Sequence, residues 1–284
     1  MRLFIVLLLC VSALSPSMGQ TVCTPENQAR LQRQLLHLNG QDWTDQEMAE
    51  VIVGVGKGFL GTPYVAKTLE LPGEEKLVVE MGGLDCTTFL ENVVVLSRLK
   101  RMNQLTEKRF LEELTRLRYR DGKLAQYPSR LHYFTEWIQN NQAKGLLTDV
   151  TREVGGEPYQ KTINFMSTHR DAYAQLKSDA FLEEIKAAET RLNQEQRYFI
   201  PKANLAQLED RIQSGDLIAI TTGIKGLDVV HVGLALQHEG RLHLFHASSR
   251  NKKVEISAIP LADYLMKNKS QSGIMVCRLT DPRN

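Results

Sequence analysis

Past residue 14 the chain of 284 residues has no apolar run that approaches spanning length. This excludes a helix-bundle membrane protein. A dominant charge sign is also missing, with 35 Lys and Arg against 33 Asp and Glu. That balance argues against electrostatic capture of nucleic acid. Neither low-complexity tracts nor internal repeats interrupt an ordinary globular composition. Cysteine is scarce: there are four, at 10, 23, 86 and 277.

The opening MRLFIVLLLCVSALSPSMGQ has Arg2, an apolar core from Leu3 to Leu14 and the small residues Ser17 and Gly19 before Gln20. It reads as a secretory leader over 1–19, too short and wrongly flanked for a membrane anchor. Residues 20–284 then form one soluble catalytic domain, exported and free of stable membrane insertion, with an insertion at about 100–210. Cys23, Cys86 and Cys277 survive cleavage, an odd number for an exported chain. Cys23 and Cys277 stand near opposite ends, where domain termini often meet. A disulfide between them is one reading, two free thiols the other; pairing would leave Cys86 as the odd thiol.

Thr24-Pro25-Glu26 predicts a capped helix running to about His37. Thr44 with Glu47 predicts a capping box opening a second helix. A strand is expected around Leu77–Met81. After Cys86, the spacing of Phe89, Leu90, Val93, Val94 and Leu96 is helical. Further helices are expected over Gln104–Arg118, through Trp137 and Ile138, and near 172–195. The C-terminal part turns to strands beginning at Gly215, His231, Leu242 and Gly273, with a short helix at Leu261–Leu265. Helices first and an antiparallel meander later imply an α+β fold.

Gly82-Gly83-Leu84-Asp85-Cys86 places a cysteine at the expected start of a helix. Free N–H groups there and the positive helix end favour a thiolate, with Asp85 as a cap. A core cysteine on the buried helix face remains the alternative. If Glu239-Gly240 is a two-residue hairpin loop, His238 faces Arg241 and His246 falls opposite Gly233. His231 and His246 then share a face as diagonal neighbours, roughly 7 Å apart at Cβ. His246 can hold one ring nitrogen of His231, giving a cysteine hydrolase its nucleophile, base and orienter. The competing reading is a zinc site of His231, His246 and Asp228, with Cys86 as a further ligand. His238 and His243 read as solvent-facing.

Gly61-Thr62-Pro63-Tyr64, Leu84-Asp85-Cys86-Thr87-Thr88-Phe89, His231-Val232-Gly233-Leu234 and His246-Ala247-Ser248-Ser249 occur in that order. Together they resemble the NlpC/P60 superfamily of papain-like cell-wall cysteine hydrolases. The resemblance implies a papain-like core, an antiparallel sheet with packed helices and the nucleophile at a helix N-terminus, carrying a large, mostly helical insertion. It implies Cys86 as nucleophile, His231 as base and His246 as third member, without a cofactor or a metal. By the same resemblance Tyr64 borders the cysteine and positions substrate or oxyanion, and Asp85 binds the free amine of a stem peptide.

The interval between Cys86 and His231 departs from the common domain by its length. Its segments Arg118–Lys123, Ser129–Phe134 and Asn164–Arg170, with Leu227–Gly233, resemble the N-acetylmuramoyl-L-alanine amidase-like branch, DUF1460. That likeness implies cleavage between the muramic acid lactyl group and L-alanine, a muropeptide or peptidoglycan fragment as partner, and a periplasmic location. Read by themselves, Arg130 suits a stem-peptide carboxylate, and His132 and His169 suit sugar or peptide carbonyls. Ser167–His169 can equally be a cap for the helix that follows. Cleavage at the γ-D-glutamyl–diaminopimelate bond, a non-catalytic wall-binding module and a thiol acyltransferase remain open alternatives.

Overall fold

The computed structural model describes residues 21–283. The leader expected over 1–19 lies outside the described residues. Strand β1 (Thr21–Val22) precedes helix α1 (Pro25–Asn39), which Thr24 caps by accepting from Asn27 N–H, with Pro25 at the first position as expected. Helix α2 (Met48–Lys57) starts later than its predicted cap. Glu47 and Glu50 form the reciprocal box there, whereas Thr44 turns its hydroxyl to Asp42. Strand β2 (Leu77–Val78) is short and pairs β1 in parallel.

Helix α3 (Cys86–Met102) forms the centre of the molecule. Its residues Phe89, Leu90, Val93 to Leu96 and Leu99 are fully buried, and Glu91, Asn92, Arg98 and Arg101 are buried with them. Helix α4 (Glu107–Arg118) is tied to it by two buried ion pairs, Arg98–Glu113 at 2.5 Å and Arg118–Glu91 at 2.7 Å. Then follow α5 (Phe134–Ala143), β3 (Leu147–Asp149), α6 (Thr151–Val154), β4 (Glu157–Pro158), α7 (Phe165–Thr168), α8 (Asp179–Gln194) and β5 (Tyr198–Pro201). The chain closes with β6 (Leu217–Thr222), β7 (Val229–His238), β8 (Arg241–Ser248), β9 (Lys253–Ile256), α9 (Leu261–Met266) and β10 (Gln271–Leu279).

These strands build an antiparallel sheet in the order β4-β5-β10-β6-β7-β8-β9, with β3 also on β10. The fold is mixed α+β with a large helical insertion. That insertion also adds β3, β4 and β5 to the sheet, strands too short to stand out in the sequence. One face of the sheet packs on α2 and α3, where Phe245 lies 5.4 Å from Phe89. The other packs on α9. Among the described residues no helix is long and apolar enough to cross a membrane.

Cys23 and Cys277 are free thiols, the second of the two readings. Cys277 is buried in β10, where it pairs across to Leu217 and Asp149, and burial pushes its thiol far up. Cys23 stands just before α1, which packs on α3 and α4.

Candidate active site

Cys86 is the first residue of α3. The turn before it is held by hydrogen bonds from several directions. Glu80 Oε1 accepts from Gly82 N and Gly83 N at 2.9 and 3.0 Å, and Asn27 Oδ1 accepts from Met81 N at 3.0 Å. A Cβ on Gly83 would stand 2.7 Å from Val65 Cγ2, so only glycine lets the two segments approach. Asp85 caps α3, accepting from Thr88 N–H at 2.8 Å while its own N–H donates to Thr88 Oγ1 at 2.9 Å.

The segment Gly61–Val65 joins this turn to the sheet edge. Gly61 N and Tyr64 N donate to the carbonyls of Val254 and Lys252, and Leu84 N donates back to Pro63 O, each at 2.9 Å. Tyr64 is thereby held half-buried beside the nucleophile turn, and the Lys252 ammonium lies 5.7 Å from its ring centre. Burial raises the Tyr64 phenol, and negative charge on Cys86 and Asp85 adds to the rise. Lys252 itself has φ 59°, a left-handed conformation that costs a lysine free energy.

Around the Cys86 sulfur stand the N–H of Val232 and the N–H and hydroxyl of Thr87. These favour a thiolate, but burial outweighs them. Desolvation first, and the Asp85 charge second, push the thiol up to about 11. Desolvation and Asp85 thus work against the thiolate that the helix end favours, at a residue whose surface is still partly exposed. Asp85 turns its carboxylate onto the helix donors, yet its charge still reaches the sulfur.

Val232 follows His231 directly on β7. The Glu239–Gly240 loop has φ 51° and 75°, and His238 pairs with Arg241 as the count required. Leu234 lies opposite Phe245, which sets His246 beside Gly233. A Cβ on Gly233 would meet Phe245 O at 2.8 Å and His246 Cβ at 2.9 Å. His231 Nε2 and His246 Nδ1 are 2.6 Å apart, and the rings are almost perpendicular. The β6–β7 ladder slips between Ile220, opposite His231, and Thr221, opposite Val229. Such a bulge re-aims a side chain. The Tyr264 ring of α9 stands edge-on, 5.9 Å from His246. Burial lowers His231 to about 4 and His246 to about 3, the latter also through the His231 charge. Both imidazoles are neutral at pH 7.

A cavity of about 280 Å³ opens at the start of α3, lined by Asp85, Thr87, Arg130, His132, Tyr173 and Leu227 among others. Arg130 is buried and already paired with Glu70 at 2.8 Å and Glu75 at 3.2 Å, and it sits 5.1 Å from the Tyr127 ring centre. It is not the free guanidinium that the sequence suggested, because acids remote in sequence fold onto it. His132 Nε2 donates to the Tyr127 carbonyl at 2.9 Å, which leaves Nδ1 as an acceptor. Burial, with the Arg130 charge, holds this imidazole neutral. His169 does not line the cavity. Its ring stacks on Phe165 at 4.1 Å, and Nδ1 bonds the Phe165 carbonyl. Thr168 bonds back to the Asn164 carbonyl instead of capping the following turn. Met166 and Tyr173, from the same segment, do reach the cavity.

Asp228 is turned away from the histidine pair. Its carboxylate accepts from Thr135 N at 2.8 Å and Thr135 Oγ1 at 3.0 Å, holding the first turn of α5 from the residue before β7. Among the described residues no three His, Cys, Asp or Glu converge as a metal cage, so the zinc reading lacks its ligand set. His243 is buried rather than solvent-facing, with Nδ1 2.7 Å from the Ser257 carbonyl just past β9. His238 is exposed as expected. Sequence reasoning missed Glu70, Lys67 and Tyr173, which line the cavity from loops without a pattern.

The N-acetylmuramoyl-L-alanine amidase-like (AmiA-like) family matches residues 54–274. An N-acetylmuramoyl-L-alanine amidase from Bacteroides uniformis ATCC 8492 is 39% identical, over 82% of this chain and 99% of that one, with a TM-score of 0.79. A Bacteroides fragilis protein under a provisional xylanase name is also 39% identical, over 79% and 98%, at 0.75. A Legionella pneumophila protein of the DUF1460 family, 24% identical over 89% and 95%, shares the fold at 0.63. No curated protein matches. By the span of the family match and the identity to the B. uniformis protein, this chain belongs to the AmiA-like, N-acetylmuramoyl-L-alanine amidase-like family.

Proposed function

We propose that this chain is an N-acetylmuramoyl-L-alanine amidase acting on peptidoglycan, with Cys86 as nucleophile. One observation carries the site: His231 Nε2 on β7 is held by His246 Nδ1 at 2.6 Å, and Val232, next to His231 in the chain, favours the thiolate of Cys86 at the head of α3. Family membership supports the reaction. The same residues favour a papain-like NlpC/P60 core, and the expected leader favours export to the periplasm.

In this scheme His231 Nε2–H donates to His246 Nδ1, and His231 Nδ1 takes the thiol proton as sulfur attacks the lactyl carbonyl. Because thiol and imidazole both start neutral, proton transfer accompanies attack. The Cys86 backbone N–H and the Tyr64 hydroxyl stabilise the oxyanion; one such donor is typically worth about 3 kcal/mol. The carbon–nitrogen bond breaks, His231 returns its proton to the L-alanine amine, and a thioester remains on Cys86. Water, deprotonated by His231, releases the lactyl carboxylate and regenerates the thiol. The cavity at the start of α3 receives the stem peptide, with Asp85 near the L-alanine amine that cleavage frees and His132 Nδ1 accepting a peptide N–H. Arg130 shapes the wall through Glu70 and Glu75. His169 stands outside this cavity and is offered no contact there.

A glycosidase needs two carboxyl groups free to flank the scissile bond. Here Asp85 caps a helix, Glu70 pairs with Arg130 and Glu91 with Arg118, so the site favours amide chemistry. The test is digestion of a defined sugar-peptide by wild type and Cys86→Ala, read by mass spectrometry. Release of the intact stem peptide by wild type alone is expected. Products that keep L-Ala-D-Glu on the sugar would transfer the cut to the stem, and equal release by Cys86→Ala would remove the nucleophile.

A further inference from the structure

His246, near the end of β8, is only 2% exposed. Its Nδ1 is taken by His231 Nε2, and it makes no other hydrogen bond among the described residues. A contact at one atom does not fix an imidazole. A half-turn about Cβ–Cγ exchanges Nδ1 with a carbon and withdraws the acceptor from His231. Packing has to oppose that turn. The Tyr264 ring stands edge-on to His246, with 5.9 Å between centres and the planes at 75°, the usual arrangement of an edge-to-face pair.

Helix α9 sets Tyr264 in this place. Leu261 and Leu265 are fully buried and Ala262 nearly so, which anchors the short helix on β8 and β10. Tyr264 packs against the same core but stays half-buried, so its ring stands between the buried imidazole and solvent. Gln271, buried at the start of β10, lies beside the Tyr264 hydroxyl. Burial raises the phenol, and negative charge on Cys86 contributes, which places the ring within electrostatic reach of the nucleophile. No step of the amidase scheme uses this residue, and Leu261 and Leu265 already supply the packing of α9.

We propose that Tyr264 is a positioning residue for the amidase reaction: its ring closes the open side of His246, keeping Nδ1 turned to His231 and water away from the pair. The inference deepens the amidase reading and rests on it for the kinetics alone. The ring, not the hydroxyl, carries the effect. Without the ring, water reaches the imidazoles, their desolvation falls, and His231 and His246 rise from about 4 and about 3 towards the ordinary 6.5. The other titratable groups facing the pair are Cys86 on α3, Glu255 opposite His246 on β9, where Asn251 donates to it at 2.6 Å, and Arg250 in the turn between β8 and β9. Asp263 of α9 lies towards Arg241 instead, at 4.0 Å. Substituting Tyr264 alters none of these.

The test is kcat and KM of the full chain on one defined sugar-peptide, followed between pH 3 and 8, for wild type, Tyr264→Phe and Tyr264→Leu. Tyr264→Leu is expected to lower kcat roughly tenfold, about 1.4 kcal/mol on the barrier, with KM little changed and the acid limb moved to higher pH. Tyr264→Phe is expected to keep the wild-type rate and limb. An unmoved acid limb in Tyr264→Leu overturns the proposal, as does a change confined to KM. Equal loss in Tyr264→Phe overturns it too, since the hydroxyl would then be the active part. If Tyr264→Leu unfolds under assay conditions, Tyr264→Met is read in its place. Imidazole ¹⁵N spectra against pH decide the same point without substrate: His246 is expected to titrate higher in Tyr264→Leu than in wild type, and coincident curves overturn the proposal. Should wild type release no stem peptide, the amidase reading fails by itself, and these spectra still decide on Tyr264.

Discussion

His231 Nε2 and His246 Nδ1 lie 2.6 Å apart with their rings at 89°, so a single proton sits between two neutral imidazoles. Holding that proton on His231 Nε2 leaves its Nδ1 to act as a base. Replacing His246 by alanine frees the ring to rotate and change tautomer. We expect kcat to fall by about 10²–10⁴, the usual range for a disabled acid–base group, with KM little changed. Steady-state kinetics on a defined sugar-peptide checks this; a change confined to KM would make His246 a substrate contact.

The acid limb of the rate profile reports His231. The base must be neutral to accept a proton, and burial sets its value at about 4. Activity is therefore expected to rise with pH through about 4 and to stay level across neutrality, since the thiol keeps its proton until about 11. A half-point near the ordinary imidazole value of 6.5 would show a ring in contact with water.

The same histidines link stability to pH. Their folded values lie below the unfolded one, so their contribution is complete above 6.5 and declines as pH falls towards 4 and 3. In that window only the unfolded chain binds the protons, at about 1.4 kcal/mol per histidine per pH unit. Thermal melts at pH 7.0 and 5.0 are expected to show a lower midpoint at pH 5.0, and His246→Gln to shrink the difference.

Asp85 both caps α3 and raises Cys86, and two substitutions separate the effects. Asp85→Asn keeps an acceptor for Thr88 N–H and removes the charge; Asp85→Ala also loses the cap, about 1 kcal/mol. Both are expected to lower the Cys86 titration from about 11, but only Asp85→Ala to lower the melting point. Alkylation rate against pH, followed on the Cys86 peptide, gives the first; an unshifted profile would leave burial alone responsible.

Gly233→Ala places a methyl group 2.8 Å from Phe245 O and 2.9 Å from His246 Cβ. Backbone cannot yield as a flexible side chain can. The variant is expected to lose about 1–3 kcal/mol, the usual cost of overpacking, and to lose activity through His246. Denaturant unfolding beside kinetics separates the two.

Local chemistry was legible without coordinates. Thr24 and Asp85 each cap a helix because their oxygens reach an N–H three residues on. The two-residue loop at Glu239–Gly240 sets the hairpin register, and with it the meeting of His231 and His246. What misled was equally physical. Thr44 found a nearer partner in Asp42. His243 was read as exposed because β9 went unrecognised, a four-residue edge strand that exists only by pairing with β8. Arg130 was read as free because Glu70 and Glu75 lie far away in the chain.

The order of residues alone determined the α+β class, the helix starting at Cys86 and the shared face of the two histidines, since these depend on contacts within a turn or a hairpin. Tertiary structure decided which charges were spent and what the thiol would be. Desolvation and ion pairing depend on atoms brought together from distant segments: desolvation of Cys86 works against the pull of the helix end, and the fold closes Glu70 and Glu75 onto Arg130.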